Sequence, residues 1–279
     1  MVNFNGTLTE EENSISLHNR GLTYGDAVFE TLRISGKKIY FWEDHYFRLM
    51  SSMRVMRMEI PMEFTPEYLE EQVLKTVEAH EEAKAYRAKI IVWRKEGGTY
   101  LPATNDVTFA ILVSPLKNPF YVLNEEKYEV ELFKDHYIPS GLLSTLKSAQ
   151  KLPNILGSIF AQENGYANCL LLNEKKEVIE ALNGNLFLVK DYKIITAPLE
   201  SGCLNGITRK QIIEILGAIP DYILDETPIS PFELQKADEM FLTNVITGIQ
   251  PITKYRKKTY DTAVAKELLG KLNAKARLG

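Results

Sequence analysis

The sequence predicts an α/β (α+β) chain of two domains with mostly antiparallel strand pairing. Strand-like and helix-like segments alternate along its whole length. Several strand pairs are separated by one to three turn residues, the spacing of a hairpin. Residues 114–127, SPLKNPFYVLNEEK, repeat Pro and Asn between more regular segments and read as a linker. We therefore expect a domain over 1–118, a linker over 119–127 and a second domain over 128–279. Both are long enough to bury a core.

VFETLRIS (28–35) and KKIYFW (37–42) are β-rich and meet at Gly36, which predicts a hairpin. Tyr46, Leu49, Met50 and Met53 recur at helical spacing and predict a helix from about Glu43. PEYLEEQVLKTVEAH predicts a second helix, with Pro66 in the first turn, where a missing N–H costs nothing. RAKIIVWR and DVTFAILV are strands on either side of the loop KEGGTYLPATN. Beyond the linker, YEVELFK is a strand, and SAQKLPNILGSIFAQENG holds a helix stopped at Gly165. NCLLLNEKKEVIEAL is a hairpin turning at Glu174–Lys176, and NGNLFLVKDYKIITAP another turning at Asp191–Tyr192. GITRKQIIEILG is a helix, DEMFLTNVITGIQPI a strand running into a loop, and a final helix ends the chain.

Composition narrows the function. The 279 residues are 45% hydrophobic and 25% charged, which argues against disorder, collagen and coiled coil. A formal net charge of -4 gives no footprint for nucleic acid or an anionic membrane. No apolar run is long enough to span a bilayer. The start, MVNFNGTLTEEENS, is too polar and acidic for a signal peptide. Two cysteines, Cys169 and Cys203, make no disulfide framework, so a reduced cytoplasmic setting is expected. The four histidines show no zinc-ligand spacing.

Four places could carry chemistry. In LNGITRKQII (204–213), Gly206 permits close approach to the backbone and Thr208 stands where a helix begins. Free N–H groups and a hydroxyl at a helix N-terminus suit a phosphate, although a plain capping threonine has the same pattern. Arg48 lies on an otherwise apolar helix face, HYFRLMSSM. Buried, it needs an anion; exposed, its stem covers the core. Lys147, in LLSTLKSAQ, has the apolar surroundings that favour a Schiff-base amine and proton shuttle. Lys151 is its rival, and most lysines are simply solvated. Glu180, in EVIEALNGNLFLV, is a turn residue if exposed and needs a cation if buried. A phosphate site with two anchors, a Schiff-base lysine and a buried acid are the parts of a pyridoxal-phosphate site.

With those residues in place, the chain resembles the class IV (fold-type IV) pyridoxal-phosphate enzymes: branched-chain aminotransferases, D-amino-acid transaminases and aminodeoxychorismate lyases. The likeness runs through NRGLTYGDAVFETLR (19–33), HYFRL (45–49), LKS (146–148), VIEALNGNLFLV (178–189), LNGITR (204–209) and FLTNVITGIQPI (241–252). It implies pyridoxal 5'-phosphate as cofactor and a smaller N-terminal α/β domain on the substrate side. It also implies a larger, cofactor-anchoring C-terminal domain with a β-barrel-like sheet, and a homodimer with the active site near the interface. Lys147 matches the Schiff-base lysine, preferred over Lys151 because LKS precedes the helix as in D-amino-acid transaminases. Arg48 matches the arginine on the cofactor phosphate, and Ile207 and Thr208 the helix start that cradles it. Glu180 matches the carboxylate facing the pyridine nitrogen, and Leu204 the apolar residue packed on the ring. Asn244 and Val245 match a phosphate-side loop, where Val245 and Ile246 offer only backbone N–H groups.

Substrate selection is expected from the first domain. Phe29, Thr31 and Arg33 share one face of a strand. Arg94 ends AKIIVWR, and Lys89 is a further cation on that strand. Arg33 and Arg94 could bind one or two carboxylates, or serve as surface or domain-interface charges. The subfamily patterns are mixed, but the segments around Lys147, Glu180 and Thr208 are most similar to D-amino-acid transaminases. That predicts amino transfer between an amino acid of the D-alanine or D-glutamate type and a 2-keto acid such as 2-oxoglutarate. Thr31 and Lys89 also resemble aminodeoxychorismate lyases, which eliminate pyruvate. A branched-chain L-amino-acid aminotransferase is a further alternative. A vitamin-B6-binding protein without turnover would need neither Lys147 nor Glu180.

Overall fold

The computed structural model describes residues 1–10 and 15–278 of the chain. The acidic end of the N-terminal stretch, EENS, therefore lies outside the described residues. The chain divides into two compact units, Met1–Phe120 with Lys147–Gln150, and Tyr121–Leu146 with Lys151–Gly279.

The first unit is a six-stranded antiparallel sheet with helices. Its strands are β1 (Val2–Phe4), β2 (Thr7–Thr9), β3 (Ala27–Ser35), β4 (Lys38–Ile39), β5 (Ala85–Arg94) and β6 (Val107–Leu116), in the order β2-β1-β6-β5-β3-β4. The helices are α1 (Arg20–Tyr24), α2 (Trp42–Val55) and α3 (Pro66–Glu78). The expected hairpin forms at Gly36, whose φ of 60° fits the turn, but its second strand keeps only two residues because α2 begins at Trp42. Thr65 caps α3 by accepting from the Tyr68 amide, and Pro66 opens the helix as predicted. Leu49, Met53, Leu69 and Val73 of α2 and α3 pack with Leu32, Ile34, Ile90 and Ile111 of the sheet in one apolar cluster. Burying side chains of this size stabilises the unit by roughly 1.5–3 kcal/mol each.

The second unit holds β7 (Glu129–Ile138), α4 (Leu152–Glu163), β8 (Asn168–Asn173), β9 (Val178–Ala181), β10 (Gly184–Lys190), β11 (Lys193–Thr196), α5 (Ile207–Gly217), β12 (Ile223–Glu226), α6 (Pro231–Leu234), β13 (Glu239–Asn244), β14 (Gly248–Ile252), β15 (Lys254–Tyr255), β16 (Lys258–Thr259) and α7 (Ala263–Leu278). Its ten strands form one branched sheet. The main path runs β12-β11-β10-β9-β8-β7-β15-β16, and β13 pairs with both β10 and β14. The branch is possible because β9 and β11 bond successive parts of β10, while β13 also pairs along it. β7–β8 and β11–β12 are parallel, and each pair is joined through a helix, α4 or α5, as parallel neighbours require.

Two expectations change. Residues 239–252, read as a strand running into a loop, form the hairpin β13–β14. The Asn244 side chain makes the turn by accepting from the amides of Ile246 and Thr247, both at 3.0 Å, and Gly248 takes φ 74°. Period-two alternation is absent there because both strands are buried on both faces. Lys147–Gln150, expected within a domain over 128–279, group with the first unit because Ser148 bridges antiparallel to Val28 of β3. Among the described residues, no helix is long and apolar enough to cross a membrane.

Gly157 in α4 gives a prediction with a definite sign. Alanine in a helix interior ordinarily stabilises by about 1 kcal/mol over glycine. A Cβ at Gly157 would stand 2.5 Å from Leu182 Cδ2 and 3.3 Å from Phe133 Cδ1. Gly157→Ala is therefore expected to lower the urea midpoint, at a cost of roughly 1–3 kcal/mol. An unchanged or raised midpoint would show that these side chains give way freely.

Candidate functional site

Strand β3 organises the chemistry of the first unit. Its alternation sends Phe29 and Thr31 to one face and Glu30 to the face that α2 covers. Segment 147–149 docks on the same strand. Phe29 donates its amide to the Lys147 carbonyl at 2.8 Å, and Ala149 donates to the Ala27 carbonyl at 2.9 Å. The backbone of Lys147 is thereby held against β3. Its Nζ lies 4.7 Å from the centre of the Phe29 ring. Lys89, across from Thr31 on β5, places its own Nζ 4.6 Å from the same ring. Partial burial lowers the Lys89 pKa, with Arg87 adding to the effect.

On the opposite face, Glu30 is fully buried and receives three charged or polar hydrogen bonds. Arg48 donates from Nε to Oε1 at 2.7 Å and from its second terminal nitrogen to Oε2 at 2.6 Å. His45 Nδ1 meets Oε2 at 2.7 Å. Burial would raise the Glu30 pKa, but Arg48 and then His45 overcome it and hold the carboxyl at about 2. Burial lowers the His45 pKa, with Glu30 opposing and Arg48 and Lys147 reinforcing the shift. The cluster is thus a charged Glu30–Arg48 pair with a neutral imidazole donating from Nδ1. Sequence reasoning found Arg48 but missed Glu30 and His45. The available signal was an acid inside an apolar strand and a His–Arg pair three apart on a helix.

Arg33 and Arg94 have intrachain partners. Arg33 donates to the carbonyls of Asn118 and Phe120. Arg94 uses all three guanidinium nitrogens: Nε on Asp26 at 2.9 Å, one terminal nitrogen on Asn105 Oδ1 and the Arg57 carbonyl, the other on the Met56 carbonyl. Asp26 also accepts from Arg20 at 2.9 Å. Arg94 is therefore a tie between loops, and the expected arginine pair for a carboxylate does not assemble. Of the cations considered for a substrate, Lys89 is the one placed beside the Phe29 ring and across from Thr31.

The second unit carries the other residues singled out. Glu180, on β9, is 8% exposed and accepts the Leu204 amide at 2.8 Å. Helix α5 starts after Gly206 with no side chain capping it. Ile207 and Thr208 in its first turn are buried, and the Thr208 hydroxyl has no hydrogen-bond partner among the described residues. A buried hydroxyl without a partner beside uncapped helical amides fits a bound phosphate, which would satisfy both. A buried carboxylate such as Glu180 fits a protonated pyridine nitrogen. These residues suit the phosphate and ring of pyridoxal phosphate. Asn244 and Val245 lie in the β13–β14 turn, where the Ile246 and Thr247 amides are already bonded to Asn244. The Val245 carbonyl accepts from the Tyr121 hydroxyl at 3.1 Å.

Comparison with known proteins agrees with this chemistry. The family model for amino-transferase class IV matches residues 27–255. A Methanocaldococcus jannaschii protein assigned to the branched-chain-amino-acid aminotransferases is 27% identical over 98% of this chain and 94% of its own length. D-alanine aminotransferase of Listeria monocytogenes is also 27% identical, over 89% and 85%. The crystal structure of branched-chain aminotransferase from Thermoproteus uzoniensis with norvaline superposes with a TM-score of 0.87 at 25% identity, covering 97% and 92% of the two chains.

The depressed Glu30 pKa predicts an acid dependence. A carboxyl lowered by folding stabilises above its unfolded pKa, and that stability is lost as pH falls through the folded value. The loss should therefore run from about pH 4.5 down to about 2. Glu30→Gln is expected to destabilise by roughly 3–5 kcal/mol at neutral pH, because it strands the Arg48 charge, and to flatten this part of the acid titration. A variant whose acid unfolding retains the wild-type slope would contradict the assignment.

Proposed function

The chain belongs to the class IV aminotransferases, which are pyridoxal-phosphate enzymes, and from that premise we propose that it transfers the amino group of a D-amino acid of the alanine or glutamate type to a 2-keto acid. The observation that carries this reading is the bond of the Lys147 carbonyl to the Phe29 amide of β3, with the lysine amine beside the Phe29 ring. Bound pyridoxal phosphate supplies an electron-withdrawing ring that stabilises negative charge at the substrate Cα. Lys147 is the amine that would take the proton from the substrate Cα and deliver it to C4′ of the cofactor. A backbone bonded to β3 fixes where that amine can reach, and so which face of the substrate it serves. Glu180 would hold a proton at the ring nitrogen, and Leu204 would pack on the ring. The family likeness assigns the phosphate to Arg48, Ile207, Thr208, Asn244 and Val245; in the second unit the uncapped start of α5 and the buried Thr208 hydroxyl would take it.

Lys89 takes the substrate carboxylate in place of the arginine pair, with Phe29 and Thr31 shaping the pocket around it. The D-preference is supported by the likeness around Lys147, Glu180 and Thr208 and by the D-alanine aminotransferase relative. The branched-chain relative is as identical and covers more of this chain, 98% against 89%, so enantiomer and side chain are what the experiment must separate. Lys89 also supports a second reading, the lyase that releases pyruvate. We further propose a homodimer. Leu17, Leu22, Tyr100 and Leu101 of the first unit are large, apolar and exposed, at 68–92%, which suits a covered face. Burial pushes the thiols of Cys169 and Cys203 up to about 11 and 12, leaving both unreactive, as suits a cytoplasmic protein.

The decisive test is the near-visible absorbance of the cofactor-loaded protein before and after D-glutamate, D-alanine, L-leucine or L-glutamate. Bleaching by the D-amino acids alone supports the proposal, and bleaching by L-leucine alone overturns the D-preference. Pyruvate release from aminodeoxychorismate without a keto-acid acceptor would favour the lyase. Lys147→Ala is expected to abolish turnover, by at least about a thousandfold, while keeping phosphate-anchored cofactor. Light scattering should give twice the 31.8 kDa chain mass, and a monomer would refute the dimer.

A further inference from the structure

Sequence reasoning passed over Asn185, the second residue of β10. Its direct partners across the sheet are Glu180 on β9 and Thr243 on β13. Direct partners in antiparallel pairs point to the same face, so the three side chains form one polar row. All three are buried, and the Thr243 hydroxyl has no partner among the described residues. The connection leading to α5 is tied to this row. Leu204 donates its amide to Glu180 Oε2 at 2.8 Å, and its carbonyl accepts from Asn185 Nδ2 at 2.8 Å. Both polar groups of one residue are thus taken by neighbouring side chains of the row. The Gly206 amide closes on the same carbonyl, also at 2.8 Å.

The other end of the carboxamide explains Gly206. That residue has φ -73° and ψ 135°, a conformation open to any amino acid. Backbone freedom is therefore not why glycine stands there. A Cβ at this position would overlap Asn185 Oδ1 and lie 3.2 Å from Asn185 Cγ. The carboxamide cannot swing aside without breaking its bond to Leu204. One side chain thus sets both the Leu204 carbonyl and the space at the helix cap.

We infer that Asn185 is the positioning residue for this half of the site. It fixes the Leu204–Gly206 connection so that Glu180, the Leu204 side chain and the first amides of α5 hold a set spacing. The inference rests on the proposal that Glu180 and the α5 N-terminus bind pyridoxal phosphate, but the contact itself can be tested without cofactor.

The test is amide hydrogen exchange across 204–208 in cofactor-free protein, for wild type, Asn185→Ala, Gly206→Ala and the double variant. Each single variant should speed exchange there about tenfold, the loss of roughly one hydrogen bond. Exchange in the core strand β8 should stay unchanged, separating a local effect from unfolding. The double variant should be no faster than either single one, because removing the carboxamide makes room for the new methyl. Wild-type exchange in Asn185→Ala, or multiplying effects in the double variant, would overturn the contact. If Asn185→Ala proves too unstable to study, Gly206→Ala alone carries the same comparison. In the second arm, Asn185→Ala should bind pyridoxal phosphate about tenfold more weakly by fluorescence titration. Unchanged affinity alongside faster exchange would overturn the positioning role. A wild-type protein that fails to bind pyridoxal phosphate would refute the proposed function and leave the exchange result standing.

Discussion

A lysine amine of set reach needs a fixed backbone, and a buried carboxylate needs fixed cations. In the first unit both demands fall on strand β3. Its edge bonds the Lys147 segment, one face presents Phe29 under the Lys147 and Lys89 amines, and the other buries Glu30 against Arg48 and His45. Bond period two makes this separation possible: successive residues of one strand serve opposite faces with no change of backbone. The sheet and the α2–α3 cluster then hold β3 in place, so the apolar core is what gives the chemistry its geometry.

The second unit solves a different problem. An anion site at a helix N-terminus works only if nothing in the chain satisfies those amides first. Gly206 cannot cap α5, and the buried Thr208 hydroxyl bonds to nothing else among the described residues. Leaving such groups unmet costs free energy, roughly 1–3 kcal/mol per buried polar group. The fold offsets that cost by anchoring the preceding connection on Glu180 and Asn185. Unmet donors and a firmly tied approach belong together: a loose loop would fold over and satisfy itself.

Much of this was legible in the sequence where the signal was local. Pro66 and the helical spacing of Tyr46, Leu49, Met50 and Met53 located α3 and α2, and the hairpins at 174–176 and 191–192 followed from turn residues between apolar runs. The β13–β14 hairpin was hidden because its turn is made by an Asn244 side chain between doubly buried strands, which leaves no alternation to read. The attachment of Lys147–Gln150 to the first unit was hidden for another reason. It depends on pairing between residues about 120 positions apart in sequence, Val28 and Ser148, and no window along the chain contains both. Asn185 was missed because its role lies across strands, between Glu180 and Leu204.

The arginines show how far residue type falls short of role. Arg33 and Arg94 were natural choices for a carboxylate because each carries a planar fork of donors. The same fork makes arginine a good tie between loops. At Arg94 the competition is decided by Asp26, which also holds Arg20, and by three loop acceptors that complete its donor set. Drawing that guanidinium out would leave Asp26 and those acceptors short of donors, a cost beyond what one substrate carboxylate returns. A lysine beside the Phe29 ring is a different kind of group. Its compact ammonium sits on a flexible stem and, partly buried, already has a lowered pKa. A cation of that kind beside the Phe29 ring raises the local potential there, which attracts a carboxylate.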